Sequence, residues 1–294
     1  MAMNAAEAGN ADRLRSRVPL SDRAAQYASA ACALIVCLVL VMIAGDVVWR
    51  GVSHVSVSFL THAASDAGRS GGIGPMIVST GLIVMVCMFA AIPVAIATAI
   101  AISEFIRPHS LMDKVVRSSL FILAAVPSIV FGLFGNAVFV KQLGMGFSIL
   151  SGGLTLACMV LPITTFAAVE GLRAVPGVYR HAAAALSLSR IATVMRVLLP
   201  QALPGVLAGV VLGAARALAE TAALLFTSGY VDRMPGSLLD SGRALSVHIL
   251  DLAMNVAGGE PNAYASACVL VGMMAVISLC THALLRFSSR RNTR

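Results

Sequence analysis

Charge is what this 294-residue sequence has least of: 12% of its residues are Asp, Glu, Lys or Arg, against about a quarter in soluble domains. Aromatics are also sparse at 5%, with one Trp and four Tyr. Lysine occurs only at Lys114 and Lys141, and neither follows the Gly-x-x-x-x-Gly-Lys-Ser/Thr pattern whose backbone cradles nucleotide phosphates. ATP hydrolysis by that route is therefore excluded, and an energised process would need a separate nucleotide-binding subunit. The His-x-x-Glu-His and paired Cys-x-x-Cys spacings of zinc chemistry are missing. Cys32, Cys37, Cys87, Cys158, Cys268 and Cys280 all lie inside apolar runs, where they act as small hydrophobes. No disulfide, metal site or cofactor is expected. The histidines are scattered through loops and span ends, so Ser-His-Asp chemistry has no support. An ordinary cytosolic enzyme, a disordered chain and a secreted disulfide scaffold are all excluded.

What is abundant is apolar: 59% of the residues are hydrophobic and the mean hydropathy is +0.90. Crossing a bilayer takes about 20 apolar residues in a helix. The runs predict an all-α polytopic membrane protein with six transmembrane helices, at about Gln26–Val48, Met76–Ser103, Ser118–Val140, Ser148–Val169, Gln201–Phe226 and Ala263–Phe287. Pro93, Pro127 and Pro162 lie inside these runs, where neighbours and water satisfy the freed carbonyls. The first run is too long for a cleaved signal peptide. Residues 1–25 and 288–294 are expected as tails around one six-helix transmembrane domain, 26–287. The outer loop 227–262 holds a short apolar stripe, Leu245, Ile249, Leu252 and Val256, expected to form an interfacial or partly re-entrant helix.

The net charge of +8 would suit nucleic acid, but its distribution argues otherwise. Fifteen of the 21 basic residues fall in the N-terminal head, in 104–117, in 170–199 and at the C-terminal end, and five fall in the opposite loops. This is a positive-inside bias, which predicts that both termini are cytoplasmic and that the basicity serves topology in a lipid bilayer. The remaining cation, Arg216, lies inside the fifth span.

The 30-residue connection 170–200 is patterned as a helix, a turn and a second helix, either a solvated hairpin or a surface for a partner. Its spacing resembles the coupling loop of importer-type ABC-transporter permeases: Glu-Ala-Ala, three residues, Gly, nine residues, Ile-x-Leu-Pro. The matching positions are His181, Ala182, Ala183, then Ser187, then Val197, Leu198, Leu199 and Pro200, so His and Ser replace the family's Glu and Gly. Three further blocks resemble the A-type permease subunit of the phosphate importers. They are Gly71–Pro75, Val126–Gly135 and Ala214–Ala222, with Ala219 and Ala223 replacing that subfamily's Gly and Pro. The resemblance implies the type I importer permease fold in a bacterial inner membrane. It further implies a homologous C-type permease, an ATP-binding subunit dimer docked on the loop, and an extracytoplasmic phosphate-binding protein. A permease for sulfate or molybdate, or a paralogue with weakened coupling, is the alternative.

Arg216 and Glu220 are the only charges well inside a span, and such groups usually face a cavity or partner. Spaced i, i+4, they are expected one turn apart on one helix face in the outer half of the membrane. Either they form a self-satisfied pair, or Arg216 offers a guanidinium fork to a phosphate oxygen. In the second case Glu220 would orient Arg216 and accept the proton of hydrogenphosphate, which sulfate lacks. Arg173, before Val175-Pro176, matches a basic position of the family at the cytoplasmic end of the path; alternatively it is a topological anchor. Gly205, Gly209 and Gly213 form a small-residue stripe, expected at the contact with the second permease or else packed within this chain. His181 is either an inert surface residue or a docking contact whose charge varies near neutral pH.

Overall fold

The computed structural model describes residues 20–291. The arginines of the head, Arg13, Arg15 and Arg17, and the last three residues lie outside the described residues. Two compact units are distinguished, 1–49 and 50–294. Helix α1, Leu20–Val52, supplies the first unit and contains a candidate span, Ala24–Val52.

The second unit opens with α2 (Val57–Thr61), capped by the Ser56 hydroxyl on Phe59 N–H. Two short strands, β1 (Ala64–Ser65) and β2 (Ser70–Gly71), follow as an antiparallel pair with Ala64 opposite Gly71. Helix α3 (Gly74–Ile100) starts on Pro75, whose fixed φ and missing N–H suit a first turn, and continues into a π turn, Ala101–Phe105. After α4 (Leu111–Ala125), capped by Ser110, come α5 (Ser128–Gly135) and its π-helical extension Asn136–Gln142. The central helix α6 (Ile149–Arg173) is capped by Ser148. The connection to the next long helix holds α7 (Gly177–Ala185), α8 (Arg190–Thr193) and a π turn, Val194–Leu198. Helix α9 (Leu199–Leu218), the single turn α10 (Ala222–Leu225), α11 (Leu245–Met254) and α12 (Glu260–Arg291) complete the chain.

Among the described residues, five helices are long and apolar enough to cross a membrane, or six if the bent pair α4–α5 counts as one span. The expected third span is thus two helices, bent by 99° at Val126-Pro127. The bend follows from chemistry: proline disfavours helical ψ at the residue before it, and Val126 is extended at ψ 128. The expected fifth span also shifts, since its helix ends at Leu218 rather than Phe226. The last helix runs on to Arg291, past the expected boundary at Phe287.

Helix α6 lies between α3 and α9 and forms the middle of the core. One apolar cluster joins Ile83, Cys87, Leu156, Val160, Ala217, Leu218 and Leu224. A second, at the arginine-rich end carrying 101–117 and 174–198 (the basic end), joins Ile102, Leu172, Val175, Val194, Leu198 and Val206. The opposite, far end is closed by Phe59, Ile73, Met76, Leu245 and Ala265. The glycine stripe of α9 faces α6 within this chain, the second of the two places expected for it. A Cβ at Gly205 would strike the Cα of Gly171, one at Gly209 would strike Ala167, and one at Gly213 would strike the Thr164 hydroxyl. The reason is a matching stripe on α6: Thr164, Ala167 and Gly171 sit at helical spacing and admit the α9 backbone.

Candidate functional site

Two places gather the residues singled out by sequence. The first is the break after α9. Arg216 occupies the last turn of α9 and is exposed; among the described residues its side chain makes no hydrogen bond or ion pair. Glu220 lies beyond the helix end and is 7% exposed. Its Oε1 accepts from Ala223 N–H at 3.3 Å, so the carboxylate caps α10 instead of meeting Arg216. The i, i+4 geometry expected of a continuous helix is lost because α9 stops between the two charges. The break is held in place by its surroundings. Ser246 on α11 donates its hydroxyl to the Glu220 carbonyl at 2.6 Å, and Leu245 N–H donates to the Thr80 hydroxyl at 2.8 Å.

Helix α10 also rests on α5. A Cβ at Gly132 would strike the Ala223 backbone, and Asn136 Nδ2 donates to Phe226 carbonyl at 2.8 Å. Two of the sequence blocks, 126–135 and 214–222, thus converge on the same break, although they are far apart in the chain.

The second place is the connection at the basic end. Ala183 is the only buried residue of α7, while His181 and Ala182 are exposed. Val178, Leu186 and Ile191 also face outward, at 73%, 75% and 68% exposure. Ser187, in the position where the resembled signature has glycine, adopts φ 53, in the left-handed region that costs a side-chain-bearing residue about 1–2 kcal/mol. Val197, Leu199 and Pro200 run from the π turn into α9 and do not join the exposed face of α7. Arg173 ends α6, exposed, with Glu170 3.8 Å away in a solvated pair that contributes little.

Sequence reasoning missed Arg180 and Glu104. The Arg180 guanidinium meets Glu104 with Nη2 at 2.7 Å and Nε at 3.4 Å, and donates to the carbonyls of Leu172 at 3.1 Å and Val175 at 3.0 Å. The available signal was positional: Glu104 is a lone acid where α3 gives way to a basic segment, and Arg180 directly precedes the His181 motif.

A polar cluster at the far end was also missed. Arg243 Nη1 lies 3.3 Å from Asp251 Oδ2 and 3.5 Å from His248 Nδ1, and Nε donates to the Tyr230 carbonyl at 3.0 Å. Burial, reinforced by the Arg243 charge, pushes the His248 pKa down to about 4. Nearby, the N–H groups of Gly236 and Ser237 hold Asp240 below the usual carboxylate range. Among the described residues no group of three or more His, Cys, Asp or Glu is placed to hold a metal ion.

Comparison with known proteins supplies the wider frame. Residues 91–294 match the model of the family described as "Binding-protein-dependent transport system inner membrane component". The chain is 30% identical over 277 residues to the probable ABC transporter permease protein YqgI of Bacillus subtilis, covering 88% of this chain and 93% of that protein. It is 31% identical over 250 residues to the phosphate transport system permease protein PstA of Xylella fastidiosa, covering 83% and 85% respectively. Among solved structures, an inward-facing conformation of the MetNI methionine ABC transporter aligns with TM-score 0.61 at 16% identity, over 74% of this chain and 95% of that one. That likeness speaks to the fold, which is that of a type I ABC importer permease. Taken with the exposed loop at one end and the broken, charged helix at the other, these matches place the chain in the family of binding-protein-dependent transport system inner membrane components, as a multi-pass ABC importer permease.

Proposed function

We propose that this chain is the A-type permease subunit of an ATP-driven importer of inorganic phosphate. It lines half of the path opposite a homologous C-type permease. The basic end faces the cytoplasm, as the charge asymmetry of the loops favours, and both termini lie on that side. An ATP-binding subunit dimer docks on the face made by Val178, His181, Leu186 and Ile191. An extracytoplasmic phosphate-binding protein docks at the far end.

The observation that carries this reading is Arg216. An exposed guanidinium with no partner among the described residues, at the end of a spanning helix, is costly against lipid and belongs in a polar cavity or at a subunit contact. There its fork suits two oxygens of a tetrahedral oxyanion. Glu220, whose carboxylate accepts one main-chain N–H and has no ion pair among the described residues, lies just past the same helix end. A carboxylate on the path accepts the proton of hydrogenphosphate and repels fully ionised sulfate. Relatives whose names specify phosphate support the choice of anion, and sulfate or molybdate is the competing cargo. The test is anion selectivity in liposomes holding the complete transporter. Glu220→Gln is expected to narrow the preference for phosphate over sulfate, and an unchanged preference would sink the assignment of Glu220.

A further inference from the structure

The contact of α7 with the rest of the bundle is unusually narrow. Of its nine residues only Ala183 is buried, and among the described residues its sole ion pair is made by Arg180. That one guanidinium binds three separate elements. Glu104 belongs to the π turn at the end of α3, Leu172 to the last turn of α6, and Val175 to the link between α6 and α7. The ion pair spans 76 residues of sequence and is largely shielded, with side chains 32% and 15% exposed. Beside it lies a crevice of about 220 Å³, lined by Glu104, Arg180, Ala184, Leu188, Arg190 and Val194. The crevice lies between α7 and the segment that starts the next helix. The π turn 101–105 is a wide turn, closed by Ile106 N–H to the Ala101 carbonyl at 2.8 Å. Such turns are rare and occur frequently at functional sites.

We propose that Arg180 and Glu104 are positioning residues that form a strut, through which movement of α7 is passed to the basic ends of α3 and α6. The strut rests on the reading of 174–198 as the ATPase-docking loop. Apart from the short covalent link at 174–176 and its contact with the π turn 194–198, a push on the exposed face of α7 reaches the bundle through the small Ala183 contact and the forked Arg180 head. A lone methyl contact slides, whereas a guanidinium held by a carboxylate and two carbonyls transmits both pull and rotation. Without the strut, ATP-driven motion of the loop is absorbed by the crevice and does not rotate α3 and α6.

The experiment uses the complete transporter in proteoliposomes, with inorganic phosphate and its binding protein, and reads phosphate moved per ATP hydrolysed. Arg180→Ala and Glu104→Gln are expected to keep the ATP-binding subunit associated yet lower that ratio by about fivefold or more, a typical coupling free energy between sites. The exchange Arg180→Glu with Glu104→Arg is expected to recover part of the ratio, because the charge pair is restored without the two carbonyl bonds. Wild-type ratios in both single variants overturn the proposal. So does loss of ATPase binding in the single variants with rescue by the exchange, since the pair would then only fold the loop. If the arginine variants do not assemble, Glu104→Gln alone decides, because it keeps the side-chain shape. The docking reading is tested separately: Leu186→Asp and Ile191→Asp that still bind the ATP-binding subunit would sink it, whatever the strut variants do.

Discussion

Arg180 and Arg216 sit near opposite ends of the same stretch of structure and are treated in opposite ways. Arg180 is tied by Glu104 and by two main-chain carbonyls. Arg216 has no partner among the described residues and is exposed where its helix gives out. The contrast separates two uses of a costly charge. A cation whose three nitrogens are all engaged holds elements together, and one left open is available to a ligand or another chain.

The sharpest way to break this comparison is to remove each head group in turn. Arg216→Ala, which abandons an open fork, is expected to reduce uptake roughly 10- to 100-fold, the worth of one charge-assisted contact, with an unchanged melting temperature. Arg216→Lys should fall between, because a point charge loses the two-pronged geometry. Arg180→Ala is expected to lower the melting temperature by an amount equivalent to about 1–3 kcal/mol, since it leaves the shielded Glu104 uncompensated. Equal thermal effects of the two substitutions would erase the distinction.

The scaffold between them is tested at Gly205. Gly205→Ala would force apart the backbones of α6 and α9 at Gly171 and is expected to cost about 1–3 kcal/mol by thermal melting. Gly81 on α3 has open space at its Cβ, so Gly81→Ala should be neutral or slightly stabilising. A tolerated Gly205→Ala would mean that α6 and α9 do not pack as described.

Acidity probes the far end. The unfolded chain protonates His248 near 6.5, whereas in the folded protein the pKa lies at about 4. The contribution of the buried neutral ring is therefore complete above 6.5 and drains away as the pH falls towards 4. Melting in detergent at about pH 7 and about pH 5 should show this loss, and His248→Gln should flatten that part of the profile.

The smallest expected effect belongs to the basic end. Ser187→Gly relieves a left-handed φ and should stabilise by under about 1 kcal/mol, after the added freedom of the unfolded glycine is counted. It also restores the residue of the resembled coupling signature, so coupling should rise and not fall.

Much was legible in local chemistry. Helix membership of the long apolar runs follows from their length and composition alone. Ser56, Ser110, Ser148 and Ser189 cap the helices that they precede, as short hydroxyl residues do. Pro127 marked a disturbance, but proline alone does not reveal whether a run is kinked within one span or turned through a wide angle. The end of α9 was harder, because 214–226 is rich in alanine and leucine and carries no glycine or proline to mark a stop. What stops the helix is the capping of α10 by Glu220 and the tether from Ser246, a residue 26 positions later.

The sequence by itself determined that this is a polytopic helical membrane protein, where its positive charge is concentrated, and which loop carries the permease-like spacing. These are properties of residues near one another in the chain, and water, lipid and backbone geometry act on them locally. Only the tertiary structure decided that the glycine stripe meets α6 of the same chain, that Arg216 and Glu220 part company, and that Arg180 finds Glu104. Each of these depends on which distant side chain fills the space opposite, and neither periodicity nor composition encodes that choice.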